Sequence, residues 1–165
     1  MGYMANEIYF NPPNRHWDLK KCSFDNFEAS PGAQEDALNF LKKFNARSPV
    51  GLYLHGPTGR GKSHLLVATA RHLKDSDVQV SYCDGTTLWP NITQHSVGYK
   101  SDNHIVTADI VIVDDIDLTY NNQIGSNLFY RFILDLYDRG KPSLFSSNHS
   151  PEGLVKKLVV GKDRK

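Results

Sequence analysis

The chain is poor in cysteine, shows no excess of either charge and contains no long apolar run. Its two cysteines, Cys22 and Cys83, lie far apart and in no C-x-x-C arrangement. That sets aside a disulfide framework or a cysteine-based zinc site and points to a reducing compartment. The 19 basic and 18 acidic side chains nearly cancel, leaving a formal net charge of +1. Such a balance gives no support to DNA binding by bulk charge, although a local basic patch stays open. No stretch approaches the ~18 apolar residues of a membrane span, and the start, MGYMANEIYF, lacks the basic-then-apolar order of a secretory leader. A soluble, cytoplasmic chain with no membrane partner is the expectation. Internal repeats and low-complexity tracts are also missing, and the histidines show no metal-ligand spacing.

What is present suits one globular domain. In 165 residues, 39% are hydrophobic and 22% charged, ordinary values for a packed core. Residues 1–22 are polar and turn-rich and read as an extended arm. Ser30-Pro31 offers a helix start, serine as cap and proline in the first turn, with Ala37, Leu38, Leu41 and Phe44 following at helical spacing. Strands are expected at 50–55, 78–83, 110–113 and 143–147. The run Ile110-Val111-Ile112-Val113 suits a central strand buried on both faces. Helices are expected from Ser63 to about Lys74 and through Ile124, Leu128, Phe132, Ile133 and Leu136, the latter stopped by Gly140 and Pro142. Pro151 opens a last, short one. The stretch 86–103 gives no clear period beyond a helical turn near Leu88. Strands alternating with helices mean an α/β fold with a largely parallel sheet.

The strongest local signal is Gly56-Pro57-Thr58-Gly59-Arg60-Gly61-Lys62-Ser63, a G-x-x-x-x-G-K-[ST] pattern between an expected strand and an expected helix. Glycines let the backbone curl so that successive N–H groups converge on phosphate oxygens, and the helix N-terminus adds partial positive charge. Lys62 is expected on the outer phosphates and Ser63 on Mg²⁺. His64, in the first turn, is either beside the nucleotide or on the helix surface, and Arg60 is expected to face solvent.

About fifty residues on, Asp114-Asp115 ends the buried run, at the rim where open α/β sheets bind ligands. Asp114 is expected to help hold Mg²⁺ and Asp115 to orient or activate the attacking water. Asp117 reads as part of the turn. Ser146-Ser147-Asn148 closes the last strand, and Asn148 is placed to reach the terminal phosphate or the water. Phe24 and Phe27 are either core or adenine-pocket residues. Tyr82, Trp89, Tyr99 and Tyr120 are scattered without interleaved arginines, so core or surface is preferred over base stacking.

Four segments, SFDNF at 23–27, GPTGRGKSHLL at 56–66, DIVIVDDID at 109–117 and GKPSLFSSNHSPE at 140–152, resemble in order and spacing one group of AAA+ ATPases. These are the bacterial replication initiators and helicase loaders of the DnaA, DnaC and IstB type. The resemblance covers roughly residues 23–158. It implies a P-loop three-layer sandwich with a five-stranded, mainly parallel sheet, ATP/ADP and Mg²⁺ as ligands, and catalytic roles for Lys62, Asp115 and Asn148. It also implies oligomers built through the nucleotide site, with a partner's arginine completing it, and action on DNA, a replication protein or a replicative helicase. The expected division is an arm over 1–22 and an ATPase core over 23–165, with no lid domain. Arg164 falls near the place of an arginine finger, but a frayed basic terminus of Lys162, Arg164 and Lys165 is the preferred reading. Alternatives are a nucleotide-gated interaction module with weak or no hydrolysis, a small P-loop kinase, and the related cell-division and mitochondrial ATPases. The guanine-specific Asn/Thr-Lys-x-Asp signature is missing, which leans toward adenine.

Overall fold

A computed structural model of the chain describes residues 9–10, 21–48, 50–74, 78–88, 92, 104–118 and 123–159. Five strands, β1 (Tyr9–Phe10), β2 (Leu52–His55), β3 (Val80–Asp84), β4 (Ile110–Asp114) and β5 (Ser143–Ser147), form one sheet in the order β1-β3-β4-β5-β2. Every pairing is parallel. Parallel neighbours need crossovers, and helices supply them. Among the described residues, the helices bounded at both ends are α1 (Ala33–Leu41), α2 (Lys62–Lys74), the one-turn α3 (His104–Thr107), α4 (Gln123–Asp138) and α5 (Pro151–Val159).

Strand alternation builds the three layers. Leu52 and Leu54 of β2, Val80 and Tyr82 of β3, Ile110 and Ile112 of β4 and Leu144 of β5 pack on α1 and α2. Tyr53, Cys83, Val111, Val113 and Phe145 point the other way, against Phe129, Phe132 and Leu136 of α4 and Leu154 of α5. Successive strand residues face opposite sides, so a strand covered on both sides must be apolar throughout. Ile110, Val111, Ile112 and Val113 are all 0% exposed. At about 1.5–3 kcal/mol for each fully buried branched side chain, β4 is the best-anchored strand of the sheet. Whatever follows Val113 is held by that anchor.

Several boundaries depart from expectation. Serine does not cap α1 and proline does not open it. Pro31 and Gly32 form a turn, Gly32 at φ 94 is the N-cap residue just before the helix, and no side chain caps it. The Ser30 N–H instead receives its acceptor from Gln34 Oε1 at 2.8 Å. The strand expected at 78–83 begins at Val80 and is buried on both faces. The fifth strand, implied by resemblance rather than located in the sequence, comes from the N-terminal arm, where Tyr9 and Phe10 pair with Ser81 and Tyr82. The long helix ends as expected. Gly140, at φ 62, donates to the Tyr137 carbonyl, and Lys141 donates to that of Leu136, a left-handed cap that glycine adopts without strain. Helical backbone does cover residues 85–88, while Trp89, Tyr99, Tyr120 and Arg164 lie outside the described residues.

Candidate functional site

The register gathers the site. At the carboxyl edge of the sheet Asp84 is paired with Asp114, and His55 with Ser147. Gly56, Asp115 and Asn148 therefore leave the sheet from one rim, although they are far apart in sequence.

The loop after β2 turns on Gly56, Gly59 and Gly61, all at positive φ. Gly61 is doubly constrained. Its φ is 79°, and a Cβ there would stand 2.4 Å from Phe27 Cε2. Phe27 is thus packed beneath the loop, and of the two readings of Phe24 and Phe27, core holds. Gln34 of α1 donates its Nε2 to the Arg60 carbonyl at 3.2 Å, a second prop under the loop, while the Arg60 side chain is exposed. His64 Nε2 lies 2.9 Å from the Ser23 carbonyl oxygen and 3.0 Å from Asn26 Oδ1. Two acceptors at one nitrogen require that it carry the proton. The His64 ring also tilts against Phe27, centroids 5.2 Å apart. The structure therefore turns the imidazole of His64 toward the 23–27 segment. Ser23 and Asn26 close that segment on itself, Ser23 N–H to Asn26 Oδ1 at 2.9 Å and Asn26 N–H to Ser23 Oγ at 3.3 Å.

Lys62, 9% exposed, projects across the loop. Its Nζ donates to the carbonyls of Gly56 (2.7 Å) and Pro57 (3.0 Å) and to Asn148 Oδ1 (3.0 Å). Thr58 Oγ1 also donates to Asn148 Oδ1, at 3.4 Å. Lys62 and Asn148, expected to share one site from positions 86 apart, are in direct contact. Ser63 occupies the first turn of α2, half-buried.

Asp114, 4% exposed, is held by neutral donors. Tyr82 Oη donates to Oδ2 at 2.9 Å, Ser146 Oγ donates closely to Oδ1, and the Asp115 N–H lies 3.1 Å from Oδ1. Burial, and next the Asp114 charge, push the Tyr82 hydroxyl above the ordinary tyrosine range, so it stays a donor. Asp115 takes φ 47, a left-handed conformation that a non-glycine residue adopts at some cost. Its N–H is fixed by Ser146 Oγ at 2.9 Å. Asp117 is more than a turn residue. In the 3₁₀ turn Ile116–Leu118, its carboxylate accepts the Ser147 hydroxyl closely and the Asn148 N–H at 2.6 Å.

Sequence reasoning missed Tyr82, Ser146 and Asp117 as parts of the site. Tyr82 is core, which agrees with preferring core over base stacking, yet its hydroxyl serves Asp114. Among the described residues no group of three or more His, Cys, Asp or Glu side chains is arranged to hold a metal ion. None of the described helices is long and apolar enough to cross a membrane.

A glycine-rich loop running from a parallel strand into a helix, beside an acid-ended central strand and an amide-ended neighbour, defines a P-loop domain of the AAA+ class. Residues 19–159 match the family described as the bacterial DnaA ATPase domain, and the chain belongs to that family. The chromosomal replication initiator protein DnaA of Pseudothermotoga lettingae is 30% identical over 144 residues, 81% of this chain and 32% of that protein. The corresponding protein of Mycoplasma capricolum is 25% identical over 143 residues, again 81% and 32%. The chain thus spans about a third of the length of the curated relatives it matches. Among solved structures, a DnaC helicase loader superposes with a TM-score of 0.72 at 20% identity, covering 88% of this chain and 90% of that one. AMPPCP-bound DnaA from Aquifex aeolicus gives 0.66 at 22% identity, covering 87% and 46%. At such identities the likeness establishes the fold.

Proposed function

We propose that the chain binds ATP with Mg²⁺ in the loop from Gly56 to Ser63, hydrolyses it to ADP and phosphate, and does so in replication initiation or helicase loading. The observation that carries this reading is the buried Lys62 ammonium, placed between the Gly56 and Pro57 carbonyls and the Asn148 amide at the rim where β2, β4 and β5 end. A buried ammonium is costly unless matched by acceptors. Phosphate oxygens are stronger partners for it than main-chain carbonyls. Membership of the DnaA ATPase domain family supports the setting and weighs against a small-molecule kinase. ATP is the ligand proposed because the guanine signature is missing from the sequence.

The residues present fit a divalent cation. Asp114 is a buried carboxylate served only by hydroxyl and amide donors, with no ammonium or guanidinium within ion-pair distance among the described residues. Asp114, with the Ser63 hydroxyl, would hold Mg²⁺, which when bound supplies positive charge to the phosphate oxygens. Lys62 binds the outer phosphates. Asp115, fixed by the left-handed turn and the Ser146 hydroxyl, orients the attacking water. Asn148 presents its side-chain amide to the terminal phosphate. As the phosphoryl group transfers, the bond to the bridging oxygen of ADP breaks and the water oxygen takes its place.

We further propose that residues 1–22 act as an N-terminal arm, with residues 23–165 as the ATPase core. The cytoplasm is the proposed location, DNA, a replication protein or a replicative helicase the partner, and the nucleotide site the surface of self-assembly. The test is ATP turnover with and without single-stranded DNA, on the native chain and on Asp115→Asn. Turnover in the native chain that drops by about 10²-fold or more in the variant, with binding retained, is the expected result. Tight ATP binding without turnover would overturn the hydrolysis and leave a nucleotide-gated interaction module.

A further inference from the structure

We infer that Asp117 is the positioning residue that sets Asn148, and that through it the acidic turn after β4 and the terminal-phosphate end of the site move as one unit. This inference rests on the ATP-site reading above and adds a residue to it.

The carboxylate of Asp117 bridges two strands. One oxygen accepts the Ser147 hydroxyl, the other the Asn148 backbone N–H at 2.6 Å. Ser147, 0% exposed, passes the constraint on, since its Oγ accepts the His149 N–H at 2.9 Å. Three consecutive residues at the end of β5 are thereby fixed by one side chain from the end of β4. The carboxylate is itself held. Ile116, 2% exposed, plugs its turn into the core, and Lys157 of α5 donates Nζ to the Asp117 carbonyl at 3.2 Å. A second prop reaches the same place from β2, where Tyr53 Oη donates to the His149 carbonyl at 2.8 Å.

The position of the Asn148 amide matters because Oδ1 stands 3.0 Å from Lys62 Nζ and 3.4 Å from Thr58 Oγ1. Beyond Ser147 the sheet gives Asn148 no ladder partner, so the Asp117 carboxylate is the acceptor that fixes its backbone N–H. Hydrogen bonds to a charged acceptor are the stronger kind, and here two of them converge on one residue. Asp117 touches neither Lys62 nor the phosphate loop among the described contacts. It acts through Asn148, so its loss is felt where the terminal phosphate is recognised and spared where the inner phosphates are.

The test compares ATP and ADP affinity, together with the backbone amide resonance of Asn148, in the native chain, Asp117→Ala and Asp117→Asn. In Asp117→Ala, ADP affinity is expected to stay within about twofold while ATP affinity drops about tenfold or more, the range of a charge-assisted hydrogen bond. The Asn148 amide proton is expected to shift upfield as its short bond to the carboxylate is lost. Asp117→Asn retains one acceptor oxygen and should recover part of both effects. Equal losses for ATP and ADP with a lowered melting temperature would mean a merely structural role and overturn the inference. So would an unmoved Asn148 resonance. If the native chain binds neither nucleotide, the ATP reading fails by itself, and the amide shift still decides whether Asp117 sets Asn148.

Discussion

Adding one methyl group at Gly61 should damage the loop and the lead-in segment together. Gly61→Ala places a Cβ 2.4 Å from Phe27 Cε2 and 3.1 Å from Cζ, at a backbone φ of +79°. Real Cβ contacts do not approach that closely, so the ring must move or the loop must. The left-handed conformation costs an alanine about 1–2 kcal/mol. Displacing a packed side chain adds about 1–3 kcal/mol. Together the loss is about 2–5 kcal/mol, or on the order of 4–20 °C in melting temperature for a chain of this size. Phe27 cannot retreat freely, because its ring also packs, tilted, against His64, whose Nε2 is tied to Ser23 and Asn26. The assay is chemical denaturation of native, Gly61→Ala, Phe27→Leu and the double variant. Leucine lacks the two ring atoms in conflict, so the double variant should recover about 1 kcal/mol or more relative to additivity. A Gly61→Ala protein as stable as the native chain, or strict additivity with Phe27→Leu, would refute the packing argument.

Tyr82→Phe removes the hydroxyl donor from Asp114 Oδ2, and denaturation should show a loss of about 1–3 kcal/mol for the unpaired buried acceptor. A change under about 0.5 kcal/mol, ordinary for a surface substitution, would place the carboxylate elsewhere. Burial pushes the Cys83 thiol up to about 12 from 9.0. Its folded value is raised, so its contribution is whole below the unfolded value and is lost as pH rises from about 9 toward 12. Stability measured across that window should fall, less steeply in Cys83→Ala, though Tyr82 acts in the same direction. Cys22 and Cys83, both buried, should react with a thiol reagent only on unfolding, and rapid labelling of native protein would contradict their burial.

How much of this was legible in the sequence follows from how local each signal is. The loop Gly56–Ser63 is contiguous, and its chemistry depends on backbone shape, so eight letters carried it. The β-branched run 110–113 announced a strand buried on both faces, and the structure buries it completely. Asp117, Tyr82 and Ser146 were not legible, because their partners lie 30 to 32 residues away and are set by strand register. A tyrosine in an apolar strand reads as core, and an aspartate just past an acidic pair reads as turn. His64 was ambiguous for the same reason, since its partners Ser23 and Asn26 come from a segment about forty residues earlier. At α1, the Ser-Pro signal lost to Gly32, whose positive φ places the helix start two residues later. Tyr9–Phe10 escaped notice because two residues carry no period, and only the open edge of β3 makes a strand of them.

Lys62 and its loop are proposed to hold the phosphates of ATP. The most direct test is equilibrium binding of ATP in the presence of Mg²⁺ to the native chain and to Lys62→Ala, with circular dichroism confirming that the variant is folded. Binding by the native chain and a loss of about 10²-fold or more in the variant are expected, the scale of a buried charge-assisted contact. Equal affinity in the two folded proteins, or no binding by either, would contradict that role.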